Sequence, residues 1–271
     1  MKKILFATTA LVATASVAAA DVTFAGYGAF GIYNDDAASE QGLLNRFQIN
    51  ATGTATADNG MEVSIFSRLR VDNGVGFSAT GERADGFNAP QITVKNGALT
   101  VQMGNTASAA GARTNVFGSA TGSLGWWGLY DTSSTWYSST GAANMDRVRV
   151  DYTMGSTTVS VSGDVSGDER LEAGASMTLG SVNVGVAAGD DDYYAADLNA
   201  ALGDVTVGAR LTNTISGAYA NYTQGAFSIN AYASDDDDYG MGAAYDLGGT
   251  VSANFEYNKS GDFMAYMAFN F

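Results

Sequence analysis

The chain has no cysteine, no histidine and one proline, and it carries only 13 basic residues against 28 acidic ones. Without cysteine no disulfide framework can hold the fold together. Without histidine there is no Ser-His or Cys-His nucleophile pair, no Asp-His hydrolase dyad and no histidine-containing zinc site, which excludes much chemistry. With no ATP motif, cofactor fingerprint or metal triad visible either, no enzyme activity is expected. A formal charge of −15 gives the phosphate backbone of nucleic acid nothing to bind, so nucleic acid is not expected as a partner. Beyond residue 20 no segment approaches the roughly 20 consecutive apolar residues of a membrane helix. Helical amphipathicity is equally scarce.

The first twenty residues are the exception. Lys2 and Lys3 are followed by an apolar stretch over Ile4–Val17 and by Ala18-Ala19-Ala20, the small-residue pattern of a cleavage site. These features predict a secretory signal peptide over 1–20 and one domain over 21–271. With the leader go two of the 13 basic residues, which leaves the exported part still more acidic.

What the chain holds in quantity is 34 glycines, 14 tyrosines and 13 phenylalanines, the material of strands and tight turns. Tight-turn signals stand at Gly155-Ser156, Gly180-Ser181, Gly203-Asp204, Gln224-Gly225 and Gly248-Gly249, one every 21 to 25 residues. Polar loops, mostly acidic, interleave with them at half-period. Each interval fits a strand of about 9 residues, enough to cross an apolar layer at a tilt of about 45°.

Within these strands side chains alternate. Leu171, Ala173, Ala175, Met177 and Leu179 share one face, and Glu172, Gly174, Ser176 and Thr178 the other. Val205, Val207, Ala209 and Leu211 oppose Thr206, Gly208, Arg210 and Thr212 in the same way. A soluble sandwich would show this alternation with its polar face outward. Uniformly long strands, a polar face rich in Gly, Ser and Thr, and aromatics near strand ends favour a membrane barrel instead. A calcium-binding β-roll is excluded, because its nonapeptide glycine-aspartate repeat does not occur. In 262–271, Phe263, Ala265, Met267, Phe269 and Phe271 alternate, with Phe271 last.

Strands are predicted at 22–33, 42–54, 60–71, 90–95 and 98–104. Eleven more follow at 145–154, 157–164, 171–179, 182–189, 194–202, 204–212, 215–223, 225–234, 239–247, 250–258 and 262–271. The even total suits a closed antiparallel barrel with both ends on one side. Residues 105–144 break the rhythm as one long segment of Gly, Ala, Ser and Thr, with Trp126, Trp127, Tyr130, Trp136 and Tyr137 as packing groups. Inward parity on three strands selects Arg46, Arg68, Arg70, Arg147 and Arg149. A cation facing lipid at midplane would cost about 2–4 kcal/mol, so these arginines belong in a lumen, where they line a passage or pair with Glu62, Asp146 and Asp151 to stiffen the wall.

Several segments resemble a known family. Phe24-Ala-Gly-Tyr-Gly-Ala-Phe-Gly-Ile32, Asn88-Ala-Pro-Gln91 and Val101-Gln-Met-Gly-Asn105 are similar to the first strand and the third-loop entry of the sixteen-stranded general porins of Gram-negative bacteria, particularly the alphaproteobacterial kind. The alternating strand that ends on Phe271 resembles the terminal signature of outer-membrane barrels. The resemblance covers essentially all of 21–271 and implies a closed sixteen-stranded antiparallel transmembrane β-barrel with an inward-folded long third loop. It further implies a homotrimer in the outer membrane, in contact with lipid and lipopolysaccharide, that passes small hydrophilic solutes by diffusion. Phe271, Phe269 and Met267 would then form the strand read by the assembly machinery. In the family, wall arginines face carboxylates on the inward loop. Here the segment carries only Asp131 and adds Arg113, which departs from that pattern.

Two acidic clusters remain, Asp190, Asp191 and Asp192, and Asp235, Asp236, Asp237 and Asp238. They offer oxygen ligands of the kind Ca²⁺ takes, with lipopolysaccharide as a bridged partner, or they are solvated loops that keep the surface soluble. No other cofactor is expected. The rival functional readings are a plugged barrel serving as a surface adhesin or anchor, and an outer-membrane enzyme. Short loops weigh against the first and the missing histidine against the second.

Overall fold

The structure is a computed structural model and describes residues 21–35, 40–72, 85–114, 146–165 and 170–271. The signal-peptide expectation for 1–20 lies outside these residues, as do Asp131 and the aromatic cluster of the long segment. The first strands are β1 (Asp21–Asp35), β2 (Glu40–Thr56), β3 (Glu62–Asp72), β4 (Asp85–Phe87), β5 (Gln91–Asn96) and β6 (Leu99–Gly104), followed by a five-residue helix α1 (Ala109–Arg113). Then come β7 (Arg147–Met154), β8 (Thr157–Asp164), β9 (Leu171–Leu179), β10 (Val182–Gly189), β11 (Tyr194–Leu202) and β12 (Val205–Thr212). The last are β13 (Ser216–Gln224), β14 (Phe227–Ser234), β15 (Tyr239–Gly248), β16 (Val251–Asn258) and β17 (Phe263–Asn270).

All pairings are antiparallel, and β1 pairs with both β2 and β17, so the sheet closes on itself. The seventeen segments occupy sixteen wall positions, because β4 and β5 both lie against β3. The break between them is Asn88-Ala89-Pro90, where proline has no amide to give the ladder. Asn88 bridges the gap: its amide donates to the Arg68 carbonyl at 2.9 Å, and its side-chain oxygen accepts from the Arg68 amide at 2.6 Å. The sequence pattern misses β4, since Asp85-Gly86-Phe87 has no alternation to read.

Among the described residues, seven short connections stand at one end of the barrel. At Gly97, Gly155, Gly180, Gly203 and Gly225 the loop has two residues, and the glycine comes first with φ between +57° and +66°. That is the arrangement of a type II′ turn, whose twist matches the flanking strands. The other end carries the polar and acidic connections.

The faces are inverted relative to a soluble protein. Leu171, Leu211 and Phe255 are 60%, 49% and 42% exposed, whereas their polar neighbours Glu172, Arg210 and Glu256 are 1%, 2% and 0% exposed. In a closed sheet side chains splay apart on the convex side and crowd together on the concave side, so the polar face is the inner one. The outer belt of Val, Leu, Ile and Phe is far larger than the apolar patches that water-exposed monomers tolerate. Aromatics mark its rims, with Tyr152 and Tyr245 near the short turns and Tyr194 and Tyr239 near the other end.

Inside, tyrosine rings lie over glycines of the neighbouring strand. A Cβ added at Gly208 would meet Tyr219 at 2.2 Å, one at Gly240 would meet Tyr232 at 2.6 Å, and one at Gly42 would meet Tyr33 at 2.7 Å. Each glycine makes a seat that no other residue leaves open. Outside, the closing seam uses the same device: Phe271 lies over Gly26 and Phe269 over Gly28.

Candidate functional site: the lumen wall

Arginines on β2, β3 and β7 all project to the inner face, but they do different things there. Arg46 is buried and ion-paired to Asp72 at 3.1 Å. Arg68 and Arg70 are half-buried; Arg68 donates from Nε to Asn50 at 3.0 Å and stacks over Phe66, and Arg70 donates to the Gln48 amide oxygen at 2.8 and 3.0 Å. Arg46, Gln48, Asn50, Arg68 and Arg70 share the lining of one recess of about 370 Å³. The amide carbonyls position the guanidinium planes while the charges stay within reach of lumen water.

Arg147 and Arg149 are almost inaccessible, at 2% and 7% exposure. Arg147 grips Asp164 at 2.5 and 3.3 Å and donates from Nη1 to the Thr106 carbonyl at 2.8 Å. Arg149 binds Asp151 at 3.1 and 3.2 Å, the Ala107 carbonyl at 2.7 Å and the Gln102 side chain. Both therefore hold the start of the long segment as well as the wall. Asp151 is one of the pairing carboxylates expected from sequence; Asp72 and Asp164 are additional ones. Arg147 and Asp164 lie equally far from the Gly155-Ser156 turn, so counting outward from the turn would have found that pair. The same count finds Asp197 opposite Arg210 across the Gly203-Asp204 turn, a further inner-face couple that parity alone overlooks.

Helix α1 rests on the inner face of β8, β9 and β10. Ala109 and Ala110 are fully buried, and the Ala109 amide donates to Ser162 Oγ at 2.8 Å and the Ala110 amide to Glu172 Oε2 at 3.1 Å. The wall is cut back beneath it: a Cβ at Gly174 would come within 2.9 Å of the Ala109 carbonyl, and one at Gly185 within 2.3 Å of the Arg113 carbonyl. Arg113 lies partly buried at the helix end, its Cγ 3.0 Å from that Gly174 position. Residues 105–114 thus lie inside the barrel. The rest of the long segment, 115–144, is outside the described residues, as is Met145.

The acidic clusters are built into loop geometry. Asp190 accepts from the Leu171 amide at 2.8 Å and Asp235 from the Ser216 amide at 2.9 Å. Asp191, Asp192 and Asp237 adopt φ near +60°, a region Asp tolerates better than most residues. Asp237 pairs with Lys259 at 2.5 Å, and Tyr232 donates to Asp238 at 3.3 Å. A hydrogen bond from Ser234 holds Asp236 below the ordinary carboxylate range, whereas partial burial pushes Asp238 above it. Among the described residues no three His, Cys, Asp or Glu side chains stand together as a metal-holding group. Met267 and Phe269 lie on the lipid face of β17, and Phe271 beyond it is exposed, while Asn270 turns inward.

A closed barrel with an apolar belt outside and arginines, carboxylates and amides inside defines a transmembrane channel wall. This chain belongs to the Gram-negative porin family, whose sequence model it matches over residues 7–262. It is an outer-membrane, multi-pass diffusion channel. Comparison with curated protein sequences finds no match. Among solved structures, a triple mutant of Rhodopseudomonas blastica porin superimposes with a TM-score of 0.79 at 22% identity, covering 93% of this chain and all of that one. A structure titled for the asymmetric conductivity of engineered proteins matches with a TM-score of 0.77 at 21% identity, over 93% of this chain and all of the other. At such identities the likeness concerns the fold.

Proposed function

We propose that the lumen is narrowed by residues 105–144 and that Arg68 and Arg70, across from α1, set the field that a passing solute meets. The observation that supports this reading is the placement of α1 on the inner wall while Arg68 and Arg70 stay half-exposed on the other arc. Solutes cross by diffusion: bore width fixes the size cut-off, and the balance of wall cations and loop carboxylates biases ions. The working assembly is a homotrimer that contacts lipid and lipopolysaccharide, and it catalyses nothing. Ca²⁺ at the acidic loops is a secondary element of this reading, with lipopolysaccharide phosphate supplying ligands that the loops alone lack. Liposome swelling with sugars of graded size tests the central claim. Deleting part of 115–144 is expected to admit larger sugars; an unchanged cut-off would overturn the narrowing.

A further inference from the structure

We propose that Arg147, Arg149 and Glu172 are positioning residues that clasp the peptide Thr106–Ala110 to the inner wall, so that α1 is a fixed part of the bore. The clasp rests on the reading that this segment narrows the lumen, and it assigns to these three side chains a task separate from setting the field.

The chemistry of the clasp follows the polarity of the peptide. A helix leaves its first amides without partners inside the helix, and the carbonyls of residues before its N-cap take no part in its ladder. Here the two arginines take the carbonyls of Thr106 and Ala107, at 2.8 and 2.7 Å. The amides of Ala109 and Ala110 are taken by Ser162 at 2.8 Å and Glu172 at 3.1 Å. The next two amides close on Ser108: Gly111 donates to its Oγ at 3.2 Å and Ala112 to its carbonyl at 3.0 Å. Cations hold the acceptors, an anion holds a donor, and the first four amides of α1 are all satisfied. Glu172 is itself held by Arg170 at 3.2 Å, and Arg170 stacks on Tyr193, 5.1 Å from the ring centre. Tyr193 packs in one buried cluster with Ala110, which ties the clasp to the rim of β10 and β11. Charged groups as inaccessible as Arg147 and Glu172 make strong, directional bonds, and they spread little potential into the bore because each has an opposite charge beside it.

The lack of native cysteine makes a clean test possible. The thiol introduced by Ala110→Cys, in the full protein reconstituted into vesicles, is expected to resist a water-soluble thiosulfonate reagent. Adding Glu172→Gln, or Arg147→Lys with Arg149→Lys, should speed labelling at least about tenfold, the shift expected when a hydrogen bond to a charged group is lost. Lysine cannot reproduce the fork that binds a carboxylate and a carbonyl together. Ser162→Ala, small and uncharged, is the second variant in case the charged ones misfold, and should loosen the same contact. Reversal potentials at low salt should move less in Arg147→Lys with Arg149→Lys than in Arg68→Ala with Arg70→Ala.

Labelling that is already fast in the parent, or that stays slow in every clasp variant while the barrel only loses thermal stability, would overturn the clasp. Faster labelling with an unchanged sugar cut-off would support the clasp and count against narrowing by the segment.

Discussion

The inverted faces make a quantitative prediction at the middle of β12. Ala209 lies on the outer face, halfway along the strand and level with Leu198 and Ala218 of the neighbouring strands. Replacing it by arginine puts a guanidinium near the bilayer midplane, at a cost of about 2–4 kcal/mol in a transmembrane barrel. Alanine loses almost no apolar contact, so nearly all the change comes from the charge. A cost of about 3 kcal/mol lowers the folded-to-unfolded ratio by roughly a hundredfold. The controls are in the same hairpin neighbourhood. Asn199 faces inward beside Gly208, so Asn199→Arg keeps its charge in lumen water and should cost under about 1 kcal/mol. Ala188 faces lipid but sits at the rim of β10, where Ala188→Arg should cost about 0–1 kcal/mol. Denaturant titration in lipid vesicles, with the folded fraction read from heat-modifiable gel mobility, gives the three values. Equal costs for Ala209→Arg and Asn199→Arg would refute the assignment of inner and outer faces.

Other expectations follow from particular residues. Arg68→Ala with Arg70→Ala should raise conductance and move the reversal potential towards cations, which bilayer recording would register. The intact channel, with its acidic mouths, should prefer cations weakly at low salt and lose the preference near 1 M salt, where the Debye length is about 3 Å. Gly180→Ala places a Cβ at φ +62° and should destabilise the barrel by about 1–2 kcal/mol, read as a lower denaturant midpoint. On acidification Asp238 should take its proton before Asp236, as carboxylate NMR shifts would show. Asp236, held below the ordinary range, adds stability to its loop above that range and loses it as pH falls through its depressed value; Asp238, held above, is relieved of a burial penalty when protonated.

The strands and their faces were legible because a barrel repeats one local rule, alternation broken by glycine turns, and needs no long-range knowledge to read. Parity therefore put Arg46, Arg68, Arg70, Arg147 and Arg149 on the inner face, and Arg210 on the polar face of its strand, without any pairing information. What parity cannot supply is register, which decides who faces whom. Asp72 opposite Arg46 is invisible until β2 and β3 are aligned across the longer turn at 57–61. The split between β4 and β5 was hidden for a different reason: three residues before a proline break carry too little pattern. The separate tasks of Arg147 and Arg68 were also illegible. Both sit at inward positions, and what distinguishes them is Asp164 across the hairpin and the Thr106 carbonyl, brought in from the preceding connection, both of which bind Arg147.

The tyrosines that lie over glycines bear on friction as well as on folding. Tyr33, Tyr219 and Tyr232 are 5–7% exposed although they belong to the wall of an aqueous passage. Rings pressed flat against the backbone present little surface to moving water and have no room to change rotamer. Along that arc the effective radius is set by strand number and tilt, which thermal motion of side chains barely modulates. A hydrated solute there slides past a smooth surface. On the reading proposed above, drag and sieving fall instead to side chains such as Arg68 and Arg70 of β3, which stay half-exposed.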